Sequence, residues 1–118
     1  MIGININDND YPFTELIFAK NKTIETRKTK SLHPYIGQRV GIVRTGKGKA
    51  TLVGFVTIGE PIYYRTEEEF RKDENKHCVY AGSKYDIGDE GKWGYPIFDP
   101  VRVDPQYINS KGIIARQI

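Results

Sequence analysis

The chain of 118 residues is poor in the residues that usually announce a chemistry. It has one cysteine, Cys78, so no intramolecular disulfide framework and no Cys-rich zinc site can be built. Its two histidines, His33 and His77, lie far apart in sequence with no second ligand pattern beside either, so no metal is expected. No apolar run approaches the length of a membrane-spanning helix. The first residues, Met1 to Asp8, lack the basic and long apolar regions of a secretory signal. A reduced, cytoplasmic protein without membrane attachment is therefore expected. Ser- or Pro-rich linkers, low-complexity tracts and internal repeats are also missing, and the length suits one core, which predicts a single domain over 1–118.

Charge is plentiful but unevenly placed. Residues 20–49 carry nine Lys or Arg against Glu25 alone, whereas the rest of the chain carries nine against fourteen acids. Such asymmetry points to an anionic partner, nucleic acid above all, although basic side chains are also ordinary surface residues.

Turn signals divide the chain into short elements. Phe13, Leu16, Ile17 and Lys20 recur at helical spacing after Pro12, predicting a short helix that ends near Asn21, a residue tolerant of left-handed backbone. Thr23 to Arg27 then alternates, with Ile24 facing one side and Glu25 and Arg27 the other. Residues 37–44 and 50–59 are β-rich runs around the glycine turn 45–49, a predicted hairpin with a solvated basic tip. Gly46-Lys47-Gly48-Lys49 lacks the spacing of a phosphate-binding loop and is a turn. Thr66-Glu67-Glu68-Glu69 matches a capping box and predicts a helix over about 66–75. The prolines of 95–103 confine that run to strand starts or edges, and 112–118 can add a last strand. Many short strands with two helices predict an α+β, mainly β fold: a small β-barrel or strongly bent sheet with helical covers.

The most informative block is Lys22-Thr23-Ile24-Glu25-Thr26-Arg27. A carboxylate among cations favours its charged form and can accept from a nucleobase amino group while the basic neighbours meet phosphate. A purely structural Glu25–Arg27 pair would produce the same pattern. A second constellation, Tyr80, Lys84, Tyr85, Lys92, Trp93 and Tyr95, is aromatic and basic; its rings can stack on bases or simply fill a core. His77 beside Cys78 is a superficial dyad, because neighbours on a strand point to opposite faces, and a buried, inert thiol is expected. Ser83 becomes a nucleophile only if folding brings it a base.

Pro12-Phe13 leading into Leu16-Ile17 and then Lys22-Thr23-Ile24-Glu25-x-Arg27 resembles the N-terminal signature of the ASCH superfamily. Ile36-Gly37-Gln38-Arg39-Val40, Gly54-Phe55-Val56, His77-x-Val79-x-x-Gly82-Ser83-x-Tyr85 and Gly94-Tyr95-Pro96-Ile97 extend the likeness over nearly the whole chain. The resemblance implies a PUA-like β-barrel and an association with RNA. Lys20 stands where that family often has glycine, and Asn21 is expected to supply the turn instead. In the small ASCH amidohydrolases that remove an acetyl group from N4-acetylcytidine, a threonine nucleophile stands where this chain has Glu25; Lys22 and Glu74 match that group's lysine and acid.

Three functions follow as expectations. The first is a module binding RNA or a modified nucleoside through Lys22, Glu25, Arg27, Lys28, Lys92, Trp93 and Tyr95, with no cofactor. The second is a hydrolase acting on a modified nucleobase or RNA, with Glu25 or Glu74 as general base and Lys22 stabilising developing negative charge. The third is a surface for an acidic protein.

Overall fold

A computed structural model describes all 118 residues. The elements are β1 (Ile2–Asn7), α1 (Phe13–Phe18), β2 (Ile24–Arg27), a 3-10 turn (His33–Tyr35), β3 (Arg39–Thr45), β4 (Thr51–Ile58), β5 (Ile62–Tyr64), α2 (Glu67–Lys72), α3 (Glu74–His77), β6 (Lys92–Tyr107) and β7 (Ala115–Gln117). The mainly β architecture expected from the turn signals is present. The sheet runs β2-β6-β4-β3-β1-β7, with β5 also paired to β6, and it curls into a half-barrel.

One strand, β1, was not expected from the turn signals. It nonetheless obeys strand alternation, burying Ile4 and Ile6 while Asn5 and Asn7 face outward. It pairs in parallel with β3 and antiparallel with β7, so the chain's two ends meet in one sheet. The β3–β4 hairpin forms as expected, and Lys47 and Lys49 are exposed at its turn.

The prolines do not place β6 at an edge. It is interior, between β2 and β4, because each proline falls where the ladder breaks. Pro96 sits where pairing with β2 ends. Asp99 and Pro100 form a bulge between the Thr57–Phe98 and Phe55–Val101 pairs, with Asp99 at φ 50°, and Pro105 lies in a second irregularity. These breaks allow one strand to turn from β2 to β4 and so curl the sheet.

The core joins Ile4, Ile6, Val40, Ile42, Val56 and Ile58 of the sheet to Phe13 and Ile17 of α1. Buried Asp8 fixes the start of α1 by accepting from the Thr14 N–H at 3.0 Å and from the Thr14 hydroxyl. The helix ends in a left-handed residue, but that residue is Lys20 at φ 64°, not Asn21. The N–H groups of Asn21 and Lys22 both close on the carbonyl of Leu16 at 2.9 Å, which requires the reversal one residue earlier.

The capping box forms at Thr66 and Glu69, but the helix expected over 66–75 is split into α2 and α3 at Asp73. Asp73 leaves helical geometry and accepts from the Tyr64 hydroxyl at 2.6 Å, which docks the break on β5. His77 and Cys78 are not strand neighbours. His77 closes α3 and Cys78 follows in left-handed backbone at φ 59°. The Cys78 thiol is buried, and that burial pushes its pKa up, as an unreactive thiol requires.

Candidate functional site

The half-barrel leaves a seam between its two edge strands, β2 and β7. There lies a cavity of about 470 Å³. Residues from β1, β2 and β7 contribute to its lining, together with the ends of α1, β3 and β6 and the connecting loops. Five basic side chains reach it, Lys22, Arg27, Lys28, Lys92 and Arg116, against one carboxylate, Glu25. Phe13, Val79 and Tyr85 supply apolar wall.

The tight end of α1 directs Lys22 inward, leaving it 2% exposed. Its ammonium donates to the His77 carbonyl at 2.5 Å, lies 3.5 Å from Glu25 Oε1 and sits 4.7 Å from the centre of the Phe13 ring. Burial lowers its pKa and the Glu25 carboxylate opposes that shift. The other carboxylate oxygen, Oε2, accepts from Arg27 Nε at 3.0 Å and faces Arg27 Nη2 at 2.9 Å. Arg27 Nη2 also donates across the seam to the main-chain oxygen of Asn5 at 2.7 Å. A side chain therefore links β2 to β1 where no strand ladder does.

Lys92, 3% exposed, donates to the carbonyl of Tyr85. Burial lowers its pKa to about 8; Glu25 opposes the shift, and Lys22 and Lys28 add to it. Arg116 enters from β7 and donates from Nε to Asn5 Oδ1 at 2.9 Å. None of the ion pairs in the structure includes Lys28, Lys92 or Arg116.

Of the residues singled out in the sequence, Lys22, Glu25, Arg27, Lys28 and Lys92 converge on the cavity. Trp93, Tyr95 and Glu74 do not line it. Trp93 is half-buried against His33 and Tyr63, with ring centres 4.8 and 4.7 Å away. Tyr95 is fully buried, its hydroxyl 2.6 Å from His33 Nδ1. Glu74 is paired with Arg71, which also holds Asp86. Lys84 pairs with Asp10 at 2.7 Å and Tyr80 is exposed. Ser83 has no base bonded to its hydroxyl. No group of three or more His, Cys, Asp or Glu gathers into a metal-binding arrangement. Asn5, Asn7 and Arg116 are cavity residues without a sequence signal of their own, since they join the site only through the pairing of β1 with β7.

No family model and no curated protein matches the sequence. Among solved structures, the ASCH protein of Zymomonas mobilis superposes with a TM-score of 0.74 at 18% identity, over 92% of this chain and 73% of its own. A serine-to-alanine variant of that protein gives 0.73 over 90% and 72%, also at 18% identity. A tyrosine-to-phenylalanine variant gives 0.74 over 92% and 76%, again at 18%. The chain has the ASCH fold.

The signature that carried the resemblance thus occupies a definite place in the ASCH fold. Lys22 lies at the exit from α1, Glu25 and Arg27 lie on the edge strand β2, and all three line the seam cavity. Lys20 adopts left-handed backbone, a conformation that glycine takes without steric cost. Glu74, matched to the acid of the amidohydrolases, lies outside the cavity of this ASCH fold, and Glu25 is the cavity's carboxylate.

Proposed function

We propose that this protein binds RNA or a modified nucleoside in the seam cavity. The observation that carries the reading is the imbalance of charge there: five basic side chains around one carboxylate, three of them without an acidic partner. Such a site attracts phosphate, and its uncompensated charge is relieved when an anion binds. Phe13 and Tyr85 give a base an apolar wall, and the Asn7 side-chain nitrogen, which makes no hydrogen bond within the protein, offers it a donor. The volume lies within the range of small-molecule sites and suits one nucleotide unit.

Fluorescence anisotropy with a short single-stranded RNA tests this reading. Affinity is expected to fall steeply with salt, and Arg27→Ala and Lys28→Ala are each expected to weaken binding by about five- to tenfold. Binding independent of salt, or no binding to RNA or nucleoside at low salt, would overturn it.

A second reading is favoured by the position of Glu25, 3.5 Å from Lys22 in a cavity that Lys92 also lines, both lysines being buried with lowered pKa values. Glu25 would take a proton from water as the water oxygen attacks an acyl carbon, and the departing nucleobase amine would carry away a proton, giving a carboxylic acid and the free base. This route uses water where the amidohydrolases use threonine. Incubation with N4-acetylcytidine decides it: acetate release that Glu25→Gln abolishes supports the hydrolase, and intact substrate at high protein concentration excludes this reaction.

A further inference from the structure

Arg27 and Arg116 belong to opposite edges of the sheet yet are tied to one residue. Asn5 accepts Arg27 Nη2 on its main-chain oxygen at 2.7 Å and Arg116 Nε on its side-chain oxygen at 2.9 Å. The Asn5 amide then donates to the carbonyls of Gly112 and Ile113 at 2.8 and 2.9 Å, fixing the approach to β7. Arg116 adds bonds to the carbonyls of Ser110 and Gly112 at 2.8 and 3.3 Å. Two guanidinium groups are thereby held on either side of Asn5, both at the cavity wall.

Their donors are not exhausted. Arg27 Nη1 makes no hydrogen bond, and the three bonds of Arg116 use only part of its five N–H groups. Glu25 balances Arg27, but no carboxylate balances Arg116 or the exposed, adjacent Lys28. Two guanidiniums with spare N–H donors fit the oxygens of a tetrahedral anion better than an isolated ammonium does.

We infer that the Arg27–Asn5–Arg116 clasp, with Lys28, seats a terminal phosphate, so that the cavity selects a nucleotide ending in a phosphomonoester over a neutral nucleoside or an internal phosphodiester. The inference rests on the nucleic-acid reading above and narrows it. A terminal phosphate carries a charge near −1.5 to −2 at neutral pH and three free oxygens, whereas an internal diester carries one charge. The unbalanced cations favour the higher charge. The base then points toward Phe13 and Tyr85, away from the clasp.

Isothermal titration with cytidine, cytidine 5′-monophosphate and cytidine 3′-monophosphate, together with anisotropy of a 3′-labelled RNA bearing either a 5′-phosphate or a 5′-hydroxyl, tests it and separates free nucleotides from RNA ends. At least one phosphorylated ligand is expected to bind ten times or more tighter than its unphosphorylated counterpart, and inorganic phosphate is expected to compete. Arg116→Lys and Lys28→Ala are expected to shrink that advantage to about threefold or less. Lys28 is exposed, so its variant keeps the test valid if Arg116→Lys folds poorly. Equal affinity for phosphorylated and unphosphorylated ligands, with salt-dependent RNA binding retained, overturns the inference and leaves the broader reading standing. Absence of binding by every RNA and nucleotide removes both.

Discussion

Glu25 divides its two oxygens between two cations, Oε1 toward Lys22 and Oε2 toward Arg27, and so allows an ammonium to be nearly sealed in the protein. Alternation along 23–27 made this carboxylate legible from sequence, and the run of cations on either side of it showed what it would neutralise. Lys92 was legible only as one cation among aromatics, because its burial depends on β5, β6 and the carbonyl of Tyr85 coming together in space. Its consequence is measurable. The native pKa of about 8 lies below the ordinary lysine value, so between pH 8 and roughly 10 the unfolded chain holds a proton that the folded chain has released. Lys92 is therefore expected to contribute stability that rises with pH through that window, as is Lys22, shifted the same way, whereas the buried Cys78 thiol, shifted up, works against them. In urea melts from pH 7.5 to 9.5 the Lys92→Met variant should therefore fall behind the wild type in its change of stability with pH by about 1–2 kcal/mol. Parallel wild-type and Lys92→Met profiles would count against a buried amine with a lowered pKa at this position.

At the scale of elements, the local signals held where a few adjacent residues decide the geometry. The Thr66–Glu69 capping box needs only one turn of chain, and it forms as the sequence indicates. What followed it was not local: Asp73 breaks the helix because Tyr64, on β5, bonds to it. The prolines of β6 misled for a related reason, since a missing N–H excludes a regular interior ladder but not an interior strand with bulges. The end of α1 is the most instructive case. Asn21 is intrinsically better suited to left-handed backbone than lysine, but closing both the Asn21 and Lys22 N–H groups on Leu16 forces the reversal onto Lys20. Lys20 accordingly bears a conformational cost that glycine would not. Lys20→Gly is expected to stabilise the fold by about 1 kcal/mol in chemical denaturation, with RNA affinity unchanged, because Lys20 does not line the seam cavity. A loss of stability in this variant would mean that the lysine side chain contributes more than its backbone geometry costs.

Across the whole molecule, the basic stretch of 20–49 is dispersed by folding. Lys22, Arg27 and Lys28 reach the seam cavity, Lys47 and Lys49 remain exposed on the β3–β4 turn, and Lys92 and Arg116 are recruited from elsewhere. Linear charge therefore located three of the five cations; Lys92 arrives on β6, and Arg116 only because β1 and β7 join the chain's two ends. That junction has its own packing device. Gly3 and Gly41 are paired across β1 and β3, and the space their missing side chains leave is filled by Ile118: a Cβ on Gly3 would meet Ile118 Cγ2 at 2.8 Å, and one on Gly41 would strike Ile118 Cδ1. Ile118 thus clamps β7 in the register that pairs Arg116 with Gly3 and turns its guanidinium toward Asn5. Neither Ile118 nor Gly41 lines the cavity, so disturbing them separates the role of β7 from direct contact with ligand. Ile118→Ala and Gly41→Ala are expected to lower stability by about 1–2 kcal/mol and to speed amide exchange at 115–117. Both should weaken nucleotide binding by about fivefold, because an unclamped β7 no longer holds Arg116 beside Arg27. Faster exchange with unchanged affinity would show instead that the seam binds without its second arginine.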